Sequence, residues 1–68
     1  MELIKKIQKE QDNKTLYKVL KVFNSKDFIS VSLIQRKCKC GYNSAYRVLN
    51  YMIENGMVEK YMEMYKRI

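Results

Sequence analysis

Hydrophobic residues along the first two-thirds of this chain recur mainly at intervals of three and four, the spacing of helices with one apolar face. From Lys14 onward, Leu16, Val19, Leu20 and Phe23 stand at i, i+3, i+4 and i+7, so a helix is expected to run to about Asn24. Asn24-Ser25-Lys26-Asp27 supplies turn chemistry to end it. Phe28 and Ile29 form an apolar pair, long enough for a short strand or a loop anchor. Ser30 follows with a hydroxyl able to accept from a first-turn N–H, which predicts a second helix behind it. That helix turns Val31, Ile34 and Cys38 inward and Gln35, Arg36, Lys37 and Lys39 outward. It should stop near Cys40-Gly41, where Gly41 can take positive φ without a Cβ penalty and let the chain turn sharply into the next helix. Tyr42 or Asn43 opens a third helix. Its apolar face is Ala45, Val48, Leu49, Met52 and Ile53, and its opposite face is Asn43, Arg47, Asn50 and Glu54. Glu54-Asn55-Gly56 ends it, with Gly56 as the left-handed cap.

Both ends of the chain are less determined by pattern. Leu3, Ile4 and Ile7 give residues 1–11 a weak amphipathic character, and Asp12-Asn13 offers a cap or turn, so 1–13 is expected to be an arm or short helix and 14–68 the domain. In the tail, strand period groups Val58, Lys60, Met62 and Met64, whereas helical period groups Tyr61, Met64, Tyr65 and Ile68. No Gly or Asn-Gly is present there to ease a tight hairpin turn.

A short basic helix, a Gly-centred turn and a longer helix make a helix-turn-helix. Charge strengthens that reading: 14 Lys+Arg against 7 Asp+Glu give a net charge of +7 on 68 residues. No acidic side chain lies between Asp27 and Glu54, the interval that holds Arg36, Lys37, Lys39 and Arg47. Such a cationic segment favours a polyanionic partner. Composition argues against other classes. A single thin core leaves little room for a deep catalytic pocket, and with no His and two Cys neither a metal centre nor a nucleophile–base pair can be assembled, so no catalysis, metal or cofactor is expected. Cys38 and Cys40 read as reduced, small apolar residues, which suits the cytoplasm. No apolar run approaches the length of a membrane span, and no signal-peptide core opens the chain.

The motif itself carries a family likeness. Gln35-Arg36, Gly41-Tyr42-Asn43, Ala45, Arg47 and Gly56-Met57-Val58 resemble the gamma domain of FtsK-type DNA translocases, a winged helix-turn-helix that reads short oriented sequences on the chromosome. In that family a Q-R pair sits on the second helix, G-Y-N-R-A opens the recognition helix, and a G-I-V-like stretch leads into the wing. The likeness spans about Phe28 to Val58. Ser44 departs from it, standing where the family has an Arg that helps read the target, and Tyr46 stands where a small residue is usual. Cys38 and Cys40 fall on apolar family positions. The chain contains no G-x-x-x-x-G-K-[ST], so the motor of a translocase is missing from it.

The resemblance implies that the tail is a wing, and the expected fold is therefore mainly α with a small β wing: a three-helix core plus a short C-terminal β-hairpin. The expected function is stand-alone, sequence-specific binding of double-stranded DNA, as a transcriptional regulator or a segregation or replication factor of a phage, plasmid or chromosome. Asn43, Ser44, Arg47 and Asn50 are the candidate base readers, because Arg pairs bidentately with guanine and Asn with adenine in the major groove. Gln35, Arg36, Lys37, Lys39 and Tyr42 are the candidate phosphate contacts that fix register. Tyr42 also reads as a packing residue and Asn43 also as a helix cap. A homodimer on two half-sites is expected, located in the cytoplasm with the nucleoid and not on a membrane. The alternatives are a winged-helix protein-interaction module that does not bind DNA and a basic amphipathic binder of anionic membranes. Tyr46, Tyr51, Tyr61, Tyr65 and the five Met residues are expected to complete a thin core or an oligomer interface.

Overall fold

The computed structural model describes residues 10–68, so most of the expected arm lies outside the described residues. Its elements are α1 (Glu10–Val22), β1 (Phe28–Ile29), α2 (Val31–Cys38), α3 (Tyr42–Glu54), β2 (Val58–Tyr61) and β3 (Met64–Arg67). Three helices and a small antiparallel sheet make a winged helix, as expected. Val19 of α1 and Phe23 just past its end, Ile34 and Cys38 of α2, Ala45, Val48, Leu49 and Met52 of α3, and Ile29 and Val58 of the sheet form one buried cluster.

The chain is already helical at Glu10, the first described residue, ahead of the expected Lys14. Asp12 and Asn13 therefore do not cap it from outside. Asp12 lies inside the helix and directs its carboxylate toward α3. The helix ends at Val22, and Asp27 closes the following turn: the amide of Asn24 donates to Asp27 Oδ2 at 2.8 Å, and the amide of Asp27 donates to the Asn24 carbonyl at 3.0 Å.

Ser30 caps α2 as its position predicts, with φ −153° and its hydroxyl accepting from the Leu33 amide at 3.2 Å. The end of α2 differs from expectation. The left-handed residue is Lys39, at φ 53° and ψ 53°, and Gly41 sits in extended backbone at φ −76° as the N-cap of α3. The chain reverses two residues earlier than the glycine suggests, at an exposed lysine whose Cβ bears the steric cost of the left-handed conformation. Gly56 does what was expected, at φ 68°. The Gly56 amide donates to the Ile53 carbonyl at 3.2 Å and the Met57 amide to the Met52 carbonyl at 2.8 Å, the pair of bonds of a Schellman end.

The sheet has three strands in the order β1-β3-β2 instead of a free hairpin, because the apolar pair Phe28–Ile29 adds to β3, with Ile29 opposite Tyr65 and Phe28 opposite Lys66. Strands β2 and β3 pair with Tyr61 opposite Met64, leaving Met62 and Glu63 as the turn. Met62 takes φ 58° in place of the absent glycine. This turn corrects the expected alternation. Val58, Lys60, Tyr65 and Arg67 share one face with Ile29, while Tyr61, Met64 and Lys66 share the outer face with Phe28. Tyr51 and Tyr65 pack against the core as expected, as do Met52 and Met57, whereas Tyr46, Tyr61, Met62 and Met64 are exposed. Arg67 fastens the last strand to the end of α1, its Nη1 donating to the Phe23 carbonyl at 2.9 Å and its amide to the Asp27 carbonyl at 2.8 Å.

The two glycines should respond oppositely to substitution. Open space surrounds both, but only Gly56 has positive φ. Gly56→Ala is expected to cost about 1–2 kcal/mol in urea or thermal unfolding, whereas Gly41→Ser should be neutral or stabilising by roughly a few tenths of a kcal/mol, since serine adds a cap the helix lacks.

Candidate nucleic-acid interface

Helix α3 offers its outer face to a groove because its inner stripe, Ala45, Val48, Leu49 and Met52, is consumed by the core. Asn43 is exposed and Asn50 and Arg47 are half-exposed on that outer face. No side chain caps the start of the helix and no acid occupies its first turn, so the positive end of its dipole is open to a phosphate. The preceding turn carries Lys39 and α3 opens on Tyr42, both exposed. Arg36 and Lys37 are exposed on α2, with Gln35 half-buried beside them. Helical spacing places Gln35 and Lys37 on opposite flanks of the buried Ile34–Cys38 stripe, and Lys37 leans toward α1, its Nζ 5.6 Å from the Phe23 ring centroid. The five candidate phosphate contacts therefore do not form a single row.

Ser44 requires a correction. Only 3% of it is exposed, and its hydroxyl is held inside the protein, donating to Asp12 Oδ1 at 2.9 Å and lying 3.1 Å from the Thr15 hydroxyl. A side chain sealed between α1 and α3 is withdrawn from the base-reading set. The same carboxylate holds Arg47: Nε donates to Asp12 Oδ2 at 2.6 Å and Nη2 to Asp12 Oδ1 at 3.1 Å. Asp12 is itself 2% exposed, whereas the Arg47 side chain remains 40% exposed. The hydrogen bond that Arg47 donates to Asp12 raises its pKa above an already high ordinary value, burial opposes this and the Asp12 charge adds to it, so the guanidinium is a permanent cation.

Asp12 and Tyr46 are the two residues that sequence reasoning did not place at this surface. The signal for Asp12 was present in the pattern, since the stripe Leu16–Val19–Phe23 stepped back one turn reaches Asp12 and Thr15. Stepping Val48 back one turn likewise reaches Ser44. Tyr46 is half-exposed and stacks on Tyr42, with ring centroids 6.1 Å apart and planes 14° from parallel, flanking the Asn43–Asn50 row.

A model of the Ftsk gamma domain matches residues 10–68. The chain belongs to the FtsK gamma-domain family. That family is a winged-helix DNA-binding domain, which agrees with the fold and with the basic surface around α2 and α3. The chain is also 35% identical over 54 residues to the DNA translocase FtsK of Clostridium tetani (strain Massachusetts / E88). The aligned segment covers 79% of the chain but 7% of that relative. No solved structure matches. The gamma domain is not catalytic by itself, and among the described residues no group of His, Cys, Asp or Glu is placed to hold a metal and no helix is long and apolar enough to cross a membrane. Within this gamma domain, the departure at Ser44 has a structural counterpart, a hydroxyl that completes the Asp12 cluster.

Two outcomes follow from these placements. Ser44→Ala should lower stability by about 1–2 kcal/mol in urea unfolding, through the lost buried hydrogen bonds; a variant as stable as the parent would show that the hydroxyl is not held inside the protein. Cys38 is buried and its thiol pKa is pushed up, first by burial and then by the nearby Cys40, with Lys18 opposing. Less thiolate at neutral pH and no access predict that iodoacetamide labels half-buried Cys40 first and reaches Cys38 only as fast as the protein unfolds.

Proposed function

We propose that this gamma domain reads a specific sequence in double-stranded DNA by laying α3 in the major groove. The observation that carries the proposal is one helix face presenting Asn43, Arg47 and Asn50 outward, opened by a turn that is free of acids. Arg36, Lys37, Lys39, Gln35 and Tyr42 are assigned to phosphates, where they fix register and supply affinity shared by all sequences. Arg47 is assigned to a guanine, and Asn43 and Asn50 to neighbouring base edges. The roles this permits are those of a DNA-segregation or replication factor or a transcriptional regulator, working on the nucleoid in the cytoplasm. DNA contact by α2 and α3 requires no motor within the same 68 residues.

Two copies on paired half-sites remain part of the proposal, since one short helix reads only a few base pairs. A second reading, a module that binds protein through the wing, is favoured by one observation. On the outer sheet face Phe28 and Tyr61 lie with ring centroids 6.2 Å apart, Lys66 stands 5.1 and 4.3 Å from those centroids, and Met64 and the 80%-exposed Met62 extend the patch.

The test is a shift assay of the full chain on a random duplex pool and on the sequences selected from it, at several salt concentrations. With Arg36, Lys37 and Lys39 each neutralising a phosphate, log K should fall with log salt at a slope of about −3, and Arg36→Ala or Lys39→Ala should flatten it by about 1 on every sequence. Arg47→Ala should instead erase the preference for the selected sequence. Equal loss from all three variants sinks the division into readers and phosphate contacts. Absence of binding at low salt favours the protein-binding module. Hydrodynamic mass on a selected duplex tests pairing, which a strictly one-to-one complex rejects.

A further inference from the structure

We propose that Asp12 is a positioning residue for base reading: its buried carboxylate grips the Nε–Nη2 side of Arg47 and leaves the Nη1–Nη2 end to meet a guanine. This rests on the proposed role of Arg47 and adds to it a cause for the side chain's orientation. The geometry separates two edges of one planar fork. Arginine has five N–H donors; Nε and one Nη2 proton go to Asp12, at 2.6 and 3.1 Å, and this side-on pairing leaves one Nη1 and one Nη2 proton on the end that matches guanine O6 and N7, with the second Nη1 proton on the Cδ side. The carboxylate is not free to turn with its partner. Oδ1 also accepts from the Ser44 hydroxyl at 2.9 Å, and Asp12 is almost wholly buried in α1. Arg47 thus meets DNA with much of its rotamer freedom already removed, which lowers the entropic cost of forming a bidentate pair. Thr15 and Ser44 extend the support behind it. A plain staple between α1 and α3 would need only the buried side of this cluster; the half-exposed guanidinium on the recognition face is what makes Asp12 part of the reader.

The test uses the full chain and the duplex selected from a random pool, with each guanine in turn replaced by 7-deazaguanine, which lacks the N7 acceptor. Arg47→Ala first identifies the guanine whose replacement it makes silent. In the parent, that replacement should weaken binding roughly ten- to hundredfold, the range of one bidentate contact. Asp12→Asn, checked by circular dichroism to be folded at the assay temperature, should reduce this discrimination toward the Arg47→Ala level, leave affinity for a random duplex unchanged or higher, and add nothing when combined with Arg47→Ala. A folded Asp12→Asn with the parent's discrimination overturns the positioning role while leaving Arg47 as a reader. If no guanine responds to Arg47→Ala, the reader assignment falls and the positioning role with it. A second measurement needs no variant: the Arg47 Nε–H resonance should stay hydrogen-bonded and slow to exchange in both free protein and complex, and its release on binding DNA would overturn the proposal.

Discussion

The burial of one carboxylate constrains most of the structure. Asp12 sits in a core made of few residues, where an unpaired charge would be far too costly to tolerate. It is tolerated because α3 brings a guanidinium and a hydroxyl to it, through Arg47 and Ser44. That requirement fixes α3 against the N-terminal half of α1. It also explains why α1 includes Asp12 instead of starting after it, why Ser44 is turned away from the outer face, and why Arg47 lies side-on. Pairing, desolvation and helix placement are here one event, and the recognition face inherits its orientation from it.

The rest of the domain is held by economical means suited to a thin core. Two residues, Phe28 and Ile29, suffice to anchor the wing because β3 lies in the middle of the sheet and Arg67 at its end bonds to the turn after α1. With two glycines in the chain, three non-glycine residues among those described take positive φ: Lys26, Lys39 and Met62. All three side chains are exposed, so none of these strained turns costs the core any packing. The outer face of the sheet is less economical, exposing Phe28, Tyr61, Met62 and Met64 beside Lys66.

The helices were legible in the sequence wherever the apolar period was strong. Leu16, Val19 and Phe23, the Ser30 cap, the Ile34–Cys38 stripe and the Gly56 end all occupy the places that pattern and capping chemistry assign them. The family likeness was legible in Gly41-Tyr42-Asn43 and Arg47. Gly41 misled because glycine permits positive φ without requiring it, and Lys39 took the reversal instead. The tail misled because a two-residue turn at Met62-Glu63 resets the face assignment, and no turn residue announced it. Ser44 and Asp12 were assigned by residue type, as reader and cap, although helical spacing placed both on buried stripes.

What the sequence by itself determined is the element order, the inward stripes, the cationic interval from Phe28 to Ile53 and the family, because these depend on local period and residue chemistry. What only the tertiary structure decided is which polar side chains face water and which face one another. Asp12 and Ser44 are separated by 32 residues, and Asp12 and Arg47 by 35. Local propensity carries no information over such distances. Their meeting depends on how α1 and α3 pack, and a buried carboxylate selects the packing that supplies its partners.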